Sequence, residues 1–151
     1  MSVLQKYADI PDDMNFLTGR IVDAVFKVHK DLGPGFLEKV YEECLCIELA
    51  DRKIPFQRQC PVKMMYNGKP VPAEFRLVLV IDDKVLVELK AVEQLHPVHE
   101  AQVHSYLKMS GLPVGFLINF NVALIKDGLR RFVPKHLRNS GSPGSNSLEG
   151  Q

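Results

Sequence analysis

Asn67-Gly68 stands between two runs rich in strand-forming residues, Phe56 to Tyr66 and Ala73 to Ile81, and a dipeptide tolerant of positive φ there turns the chain back on itself. Pro70 and Pro72 predict that this connection is longer or irregular. Asp82-Asp83-Lys84 then leads from the second run into Val85 to Lys90, so three antiparallel strands follow one another as a meander. Ahead of Pro55 the period is different. Leu17, Ile21, Val25, Val28 and Leu32 recur at helical spacing, Asp12 or Asp13 can cap the start, and Gly33-Pro34-Gly35 breaks the helix. A second helix is predicted from about Phe36 to Arg52, with Val40, Cys44, Ile47 and Leu37 on its inner face. Beyond the meander, His99 to Met109 reads as a helix stopped by Gly111, followed by short strands at Val114 to Phe120 and Ala123 to Lys126. The order helix, helix, three strands, helix, two strands predicts an α/β (α+β) layer fold around a mixed central sheet flanked by helices.

A chain of 151 residues, 46% of them hydrophobic, suffices for one core, which is placed at residues 13–138 between an N-terminal arm at 1–12 and a polar, disordered tail at 139–151. With 19 basic against 18 acidic side chains and a net charge of +1, no global field gathers polyanions, and nucleic-acid binding would need a local patch. No apolar stretch is long enough to span a membrane and the start lacks signal-peptide order, so an intracellular protein without a membrane partner is expected. Three cysteines, Cys44, Cys46 and Cys60, read as reduced thiols rather than a disulfide frame or a four-ligand metal site.

Val85-Leu86-Val87-Glu88-Leu89-Lys90 is the run with most chemical content. Residues two apart on a strand share a face, so Glu88 and Lys90 project together from an otherwise apolar segment. A carboxylate and an ammonium so placed can hold a hard cation and steady a phosphate and its attacking water; the plainer alternative is a surface ion pair. Gln102 and Tyr106, four apart, lie on one face of the helix that follows. Gly35-Phe36-Leu37-Glu38-Lys39-Val40-Tyr41 puts an acid at the start of the second helix, where it also complements the helix dipole.

Gly35, Glu38 and Tyr41, the run Glu88-Leu89-Lys90-Ala91, Gln102 to Tyr106 and Gly115 to Phe120 together resemble the GxxExxY proteins over about Phe16 to Val133. That family is similar to the PD-(D/E)XK nuclease superfamily, with Gln-x-x-x-Tyr the addition found in its RecB-like branch. The resemblance implies a restriction-endonuclease-like core and cleavage of nucleic acid, DNA ahead of RNA, dependent on magnesium or manganese. It implies that Glu38 and Glu88 ligate the metal. Lys90 would position water or stabilise charge at the phosphate, and Gln102 and Tyr106 would support substrate and lysine.

The same resemblance places an aspartate on the preceding strand, ten positions before Glu88, where this chain has Val78. Glu74 is roughly 13 Å away along the strand, and Asp82 and Asp83 lie in the turn, so no neighbour replaces it. Weak metal binding and poor or absent hydrolysis are therefore expected. The other class of function is an inactive module that binds nucleic acid, a protein partner or a second copy of itself. His96, His99 and His104 read as solvent-facing or phosphate-contacting rather than zinc ligands. Lys126, Arg130, Arg131, Lys135 and Arg138 make a basic stretch able to meet a nucleic-acid backbone, or simply solvent.

Overall fold

The computed structural model describes residues 12–134 of the chain; most of the arm and the whole of the tail assigned above, with Lys135 and Arg138, lie outside the described residues. Helix α1 (Asp12–Leu32) and helix α2 (Glu38–Asp51) precede strands β1 (Phe56–Tyr66), β2 (Lys69–Ile81) and β3 (Val85–Lys90). Helix α3 (Pro97–Ser110), β4 (Val114–Asn119), one 3-10 turn (Ile125–Asp127) and β5 (Leu129–Phe132) complete the fold. The sheet runs in chain order, β1-β2-β3-β4-β5, antiparallel except that β3 and β4, joined through α3, are parallel. This mixed sheet flanked by helices is consistent with a restriction-endonuclease-like α+β core.

The sheet buries both faces. On one, α1 and α2 cover Leu79, Ile81, Val85, Val87, Leu89 and Phe116; on the other, α3 packs Val103 and Leu107 onto Leu77, Val80, Leu86 and Leu117. Strand β3 alternates between the two cores, which directs Leu86, Glu88 and Lys90 to the side of α3. A strand covered on both faces reads as a continuous apolar run, as β3 and β4 do.

Three expectations need correction. The inner face of α2 is Tyr41, Leu45, Cys46 and Leu49, whereas Ile47 and Leu37 are 60% and 78% exposed. The turn at Asn67-Gly68 is tight rather than long, with φ 51° and 74° at its two residues, so β2 starts at Lys69 and takes in Pro70 and Pro72; the irregularity lies in the ladder beside them, where the register shifts between Lys63 and Met65. Prolines are tolerated there because that half of the ribbon has no third strand beside it. Ala123 to Lys126 is not a strand. It forms a bend and the start of the 3-10 turn, and the last strand is the basic run Leu129–Phe132.

Val78 stands where the sheet opens. The β2–β3 ladder ends at Leu79↔Val87, and in the β1–β2 ladder the pair Gln59/Val78 is missing, with Gln59 at φ 52°. The alternation of β2 breaks here. Leu77 goes to the α3 core, while half-buried Val78 joins Leu79 against the α1/α2 core. Val78 is thus level with Glu88 in register but does not share its face, as a regular hairpin would require.

Candidate active site

Glu88 and Lys90 sit where β2 leaves β3. Glu88 is 6% exposed, its Oε1 lies 3.7 Å from Lys90 Nζ, and its Oε2 is buried without a hydrogen-bond partner. Burial pushes the Glu88 carboxyl above the ordinary range and the charge of Glu38 pushes it the same way, while Lys90 opposes both. A buried carboxylate with one oxygen unsatisfied is costly unless something else completes it.

Glu38 is exposed in the first turn of α2. Although α2 lies against the opposite face of the sheet from the one Glu88 and Lys90 alternate onto, Glu38 is near enough for its charge to act on Glu88. The segment that aims it is built from Gly35 and Tyr41. Gly35 stands at φ 108°, which a side chain would strain. Tyr41 is fully buried, stacks on Phe120 at 4.6 Å, donates its hydroxyl to the Gly33 carbonyl at 2.6 Å and accepts from the Phe36 N–H at 3.2 Å. The Gly-x-x-Glu-x-x-Tyr spacing therefore has a mechanical basis: the outer two residues fix the turn, and the middle one is left free.

Helix α3 supplies the remaining wall. Tyr106 stacks on Phe75 of β2 at 4.8 Å, and its phenol is held above the usual value by burial and then by the charge of Glu88. Gln102 is half-buried one turn earlier and makes no hydrogen bond to Glu88, Lys90 or Tyr106. His99, read from the sequence as solvent-facing or phosphate-contacting, lies close enough to Lys90 to feel its charge. Burial and then Lys90 lower its imidazole pKa, and its Nδ1 accepts the His96 N–H at 3.1 Å. His96 precedes the helix as expected, and His104 is exposed with its ring edge-on to Phe132 at 4.9 Å.

Sequence reasoning missed Asn119. It is 2% exposed, accepts from the Val92 N–H at 3.0 Å, donates to the Val92 carbonyl at 2.9 Å, and so clamps the chain two residues beyond Lys90. The Phe120 N–H adds a bond to the Lys90 carbonyl at 2.9 Å. Only the apolar run around Asn119 hinted at a buried amide needing local partners.

Glu88 and Lys90 are brought together, with Glu38, Tyr106 and His99 within electrostatic reach. Val78 contributes no donor, and among the described residues no group of three or more His, Cys, Asp and Glu is placed to hold a metal ion. The donor set fits a hard divalent cation in reduced form: Glu88 offers an unsatisfied oxygen, Glu38 a second carboxylate, and magnesium ordinarily keeps several waters. Arg130 of the basic stretch pairs with Glu100 of α3. No helix among the described residues is long and apolar enough to cross a membrane.

Comparison with known proteins agrees with this geometry. No curated protein and no solved structure matches the chain. A family model described as the PD-(D/E)XK nuclease superfamily matches residues 15–132, which takes in all but the first three residues of the N-terminal helical hairpin, the whole sheet and every residue of the site. With most of its length covered by that match, the chain belongs to the PD-(D/E)XK nuclease superfamily.

Proposed function

We propose that this protein is a weakened metal-dependent nuclease of the GxxExxY kind, within the RecB-like Gln-x-x-x-Tyr branch, acting on nucleic acid and on DNA in preference to RNA. The observation that carries the reading is the buried Glu88 carboxylate, one oxygen unsatisfied, beside Lys90 at the opening between β2 and β3. Glu88 and Glu38 are the groups that would hold magnesium or manganese. When bound, the cation supplies positive charge to the scissile phosphate and makes water a better nucleophile near neutral pH. Lys90 stabilises charge on the phosphate and orients the attacking water, Tyr106 and Gln102 present hydrogen-bonding groups from α3, and Asn119 holds the strand end on which Lys90 is carried. Val78 in place of a third carboxylate leaves the cation loosely held.

One observation favours a second reading, an inactive nucleic-acid-binding or protein-interaction module, intracellular and monomeric or self-associating: three acidic ligands do not converge. Thermal melts with Mg²⁺ or Mn²⁺, paired with nicking assays on plasmid and on single strands, separate the two. The wild type should gain about 0.4 kcal/mol at a cation concentration near Kd. Glu88→Gln should abolish that gain and Glu38→Gln should reduce it, while slow nicking disappears in Lys90→Ala. A wild type that neither responds to cation nor binds nucleic acid supports the interaction module instead.

A further inference from the structure

The β1–β2 ribbon runs on past the site. Continued beyond its last pair, the register of β2 on β3 brings Arg76 level with Lys90, the end of β3. From there β2 has seven residues more, Lys69 to Phe75, paired with β1 apart from an irregularity between Lys63 and Met65. That is about 23 Å of two-stranded ribbon at roughly 3.3 Å per residue. Its base is anchored, because Val62 and Phe75 pack against the α3 core and Phe75 stacks on Tyr106. Its outer part is not. No residue from 63 to 74 is buried, and Met65 and Tyr66 at the tip are 53% and 68% exposed.

A free two-stranded hairpin is marginal in water, so this length of ribbon gains nothing from either core and is suited to a surface it meets from outside. Its charge chooses the surface. Lys63, Lys69 and Arg76 face a single acid, Glu74, which pairs with Arg76 at 3.3 Å. Edge-to-edge pairing with a second copy is disfavoured by Pro61 on the edge strand and by Pro70 and Pro72 opposite it, which lack N–H donors. A two-stranded ribbon has the width of the major groove of B-form DNA.

We infer that the β1–β2 ribbon is a nucleic-acid arm, its tip entering the major groove of duplex DNA beside the Glu88–Lys90 site, with Lys63 and Lys69 on phosphates and Tyr66 and Met65 against bases and sugars. This rests on the nuclease reading and names duplex DNA as the substrate class. The test is fluorescence anisotropy with a labelled DNA duplex and with its single strand across a salt series, for wild type, Lys63→Ala/Lys69→Ala and Tyr66→Ala. All three changes are at exposed positions, and thermal melts check folding. The double lysine variant should bind duplex roughly tenfold or more weakly at 0.1 M salt, and its slope of log affinity against log salt should fall by about 1.8. Tyr66→Ala should weaken duplex binding with the slope unchanged. If the wild type binds duplex and the lysine variant matches it in affinity and slope, the arm is refuted while the nuclease reading stands. Loss confined to the single strand overturns the groove assignment, a tip substitution that changes the oligomeric state in light scattering points to a self-association surface, and a wild type that binds neither probe removes both proposals.

Discussion

Glu88 has one carboxylate oxygen buried without a partner, and its ionised form is opposed first by burial and then by Glu38. A carboxyl raised in the folded state above its ordinary value of 4.5 binds more protons folded than unfolded, so stability falls as pH rises from about 4.5 through the raised value. Glu88→Gln removes that titration. The stability of wild type relative to the variant should therefore decline as pH rises from about 4.5 and level off once the pH has passed the raised value, measured by thermal melts of both; parallel profiles would contradict it. The strand Val85–Lys90 made Glu88 and Lys90 legible in the sequence, because a charge pair in an apolar run is conspicuous. Tyr41 and Asn119 were opaque in role: a buried phenol or amide is recognised only once its partners, the Gly33 carbonyl and the Val92 backbone, are brought close by the fold.

At the scale of elements, periodicity served well where one face was uniformly apolar, as in α1 and β3, and failed where polar groups are buried. Helix α2 buries Glu42 at 5% exposure, bonded to Lys39 and Arg58, and Tyr41 beside it, so an apolar-only reading turned the helix toward Ile47 and Leu37. The run Ala123 to Lys126 looked like a strand because Leu124 and Ile125 extend the apolar pattern beyond Phe120. What overrides them is Gly128, where an added Cβ would come within 2.1 Å of the Asn119 carbonyl oxygen while the Gly128 carbonyl accepts the Asn119 N–H at 2.8 Å. This backbone crossing sets where β5 starts. Gly128→Ala should cost on the order of 1–3 kcal/mol in urea unfolding. Gly19→Ala, in the middle of α1 with nothing within 4 Å of the added carbon, should stabilise by about 0.5–1 kcal/mol. Equal effects of the two would show that the close approach at Gly128 does not govern the connection.

Over the whole molecule, the layer order and the mixed sheet followed from period changes at Pro55 and beyond Lys90, and the family match over residues 15–132 agrees with them. What the sequence could not reveal is the opening of the sheet: the missing Gln59/Val78 pair and the end of the β2–β3 ladder at Leu79↔Val87 separate Val78 from the face of Glu88. The absent aspartate thus falls at the edge of the opening, on the side of the sheet from which Glu38 of α2 acts on Glu88, where a third carboxylate would complete the proposed metal site. Val78→Asp tests it most directly, with Val78→Ala reporting the packing lost from the α1/α2 core. The Asp variant should be less stable than the Ala variant in chelator and should recover with Mn²⁺ or Mg²⁺, by about 2.7 kcal/mol where the cation reaches 100 times its Kd. Metal-dependent plasmid nicking should rise above the wild-type rate and vanish again when Lys90→Ala is added. An Asp variant that folds, yet gains neither stability from either cation nor cleavage of any nucleic acid offered, would contradict the claim that one missing carboxylate separates this chain from an active nuclease.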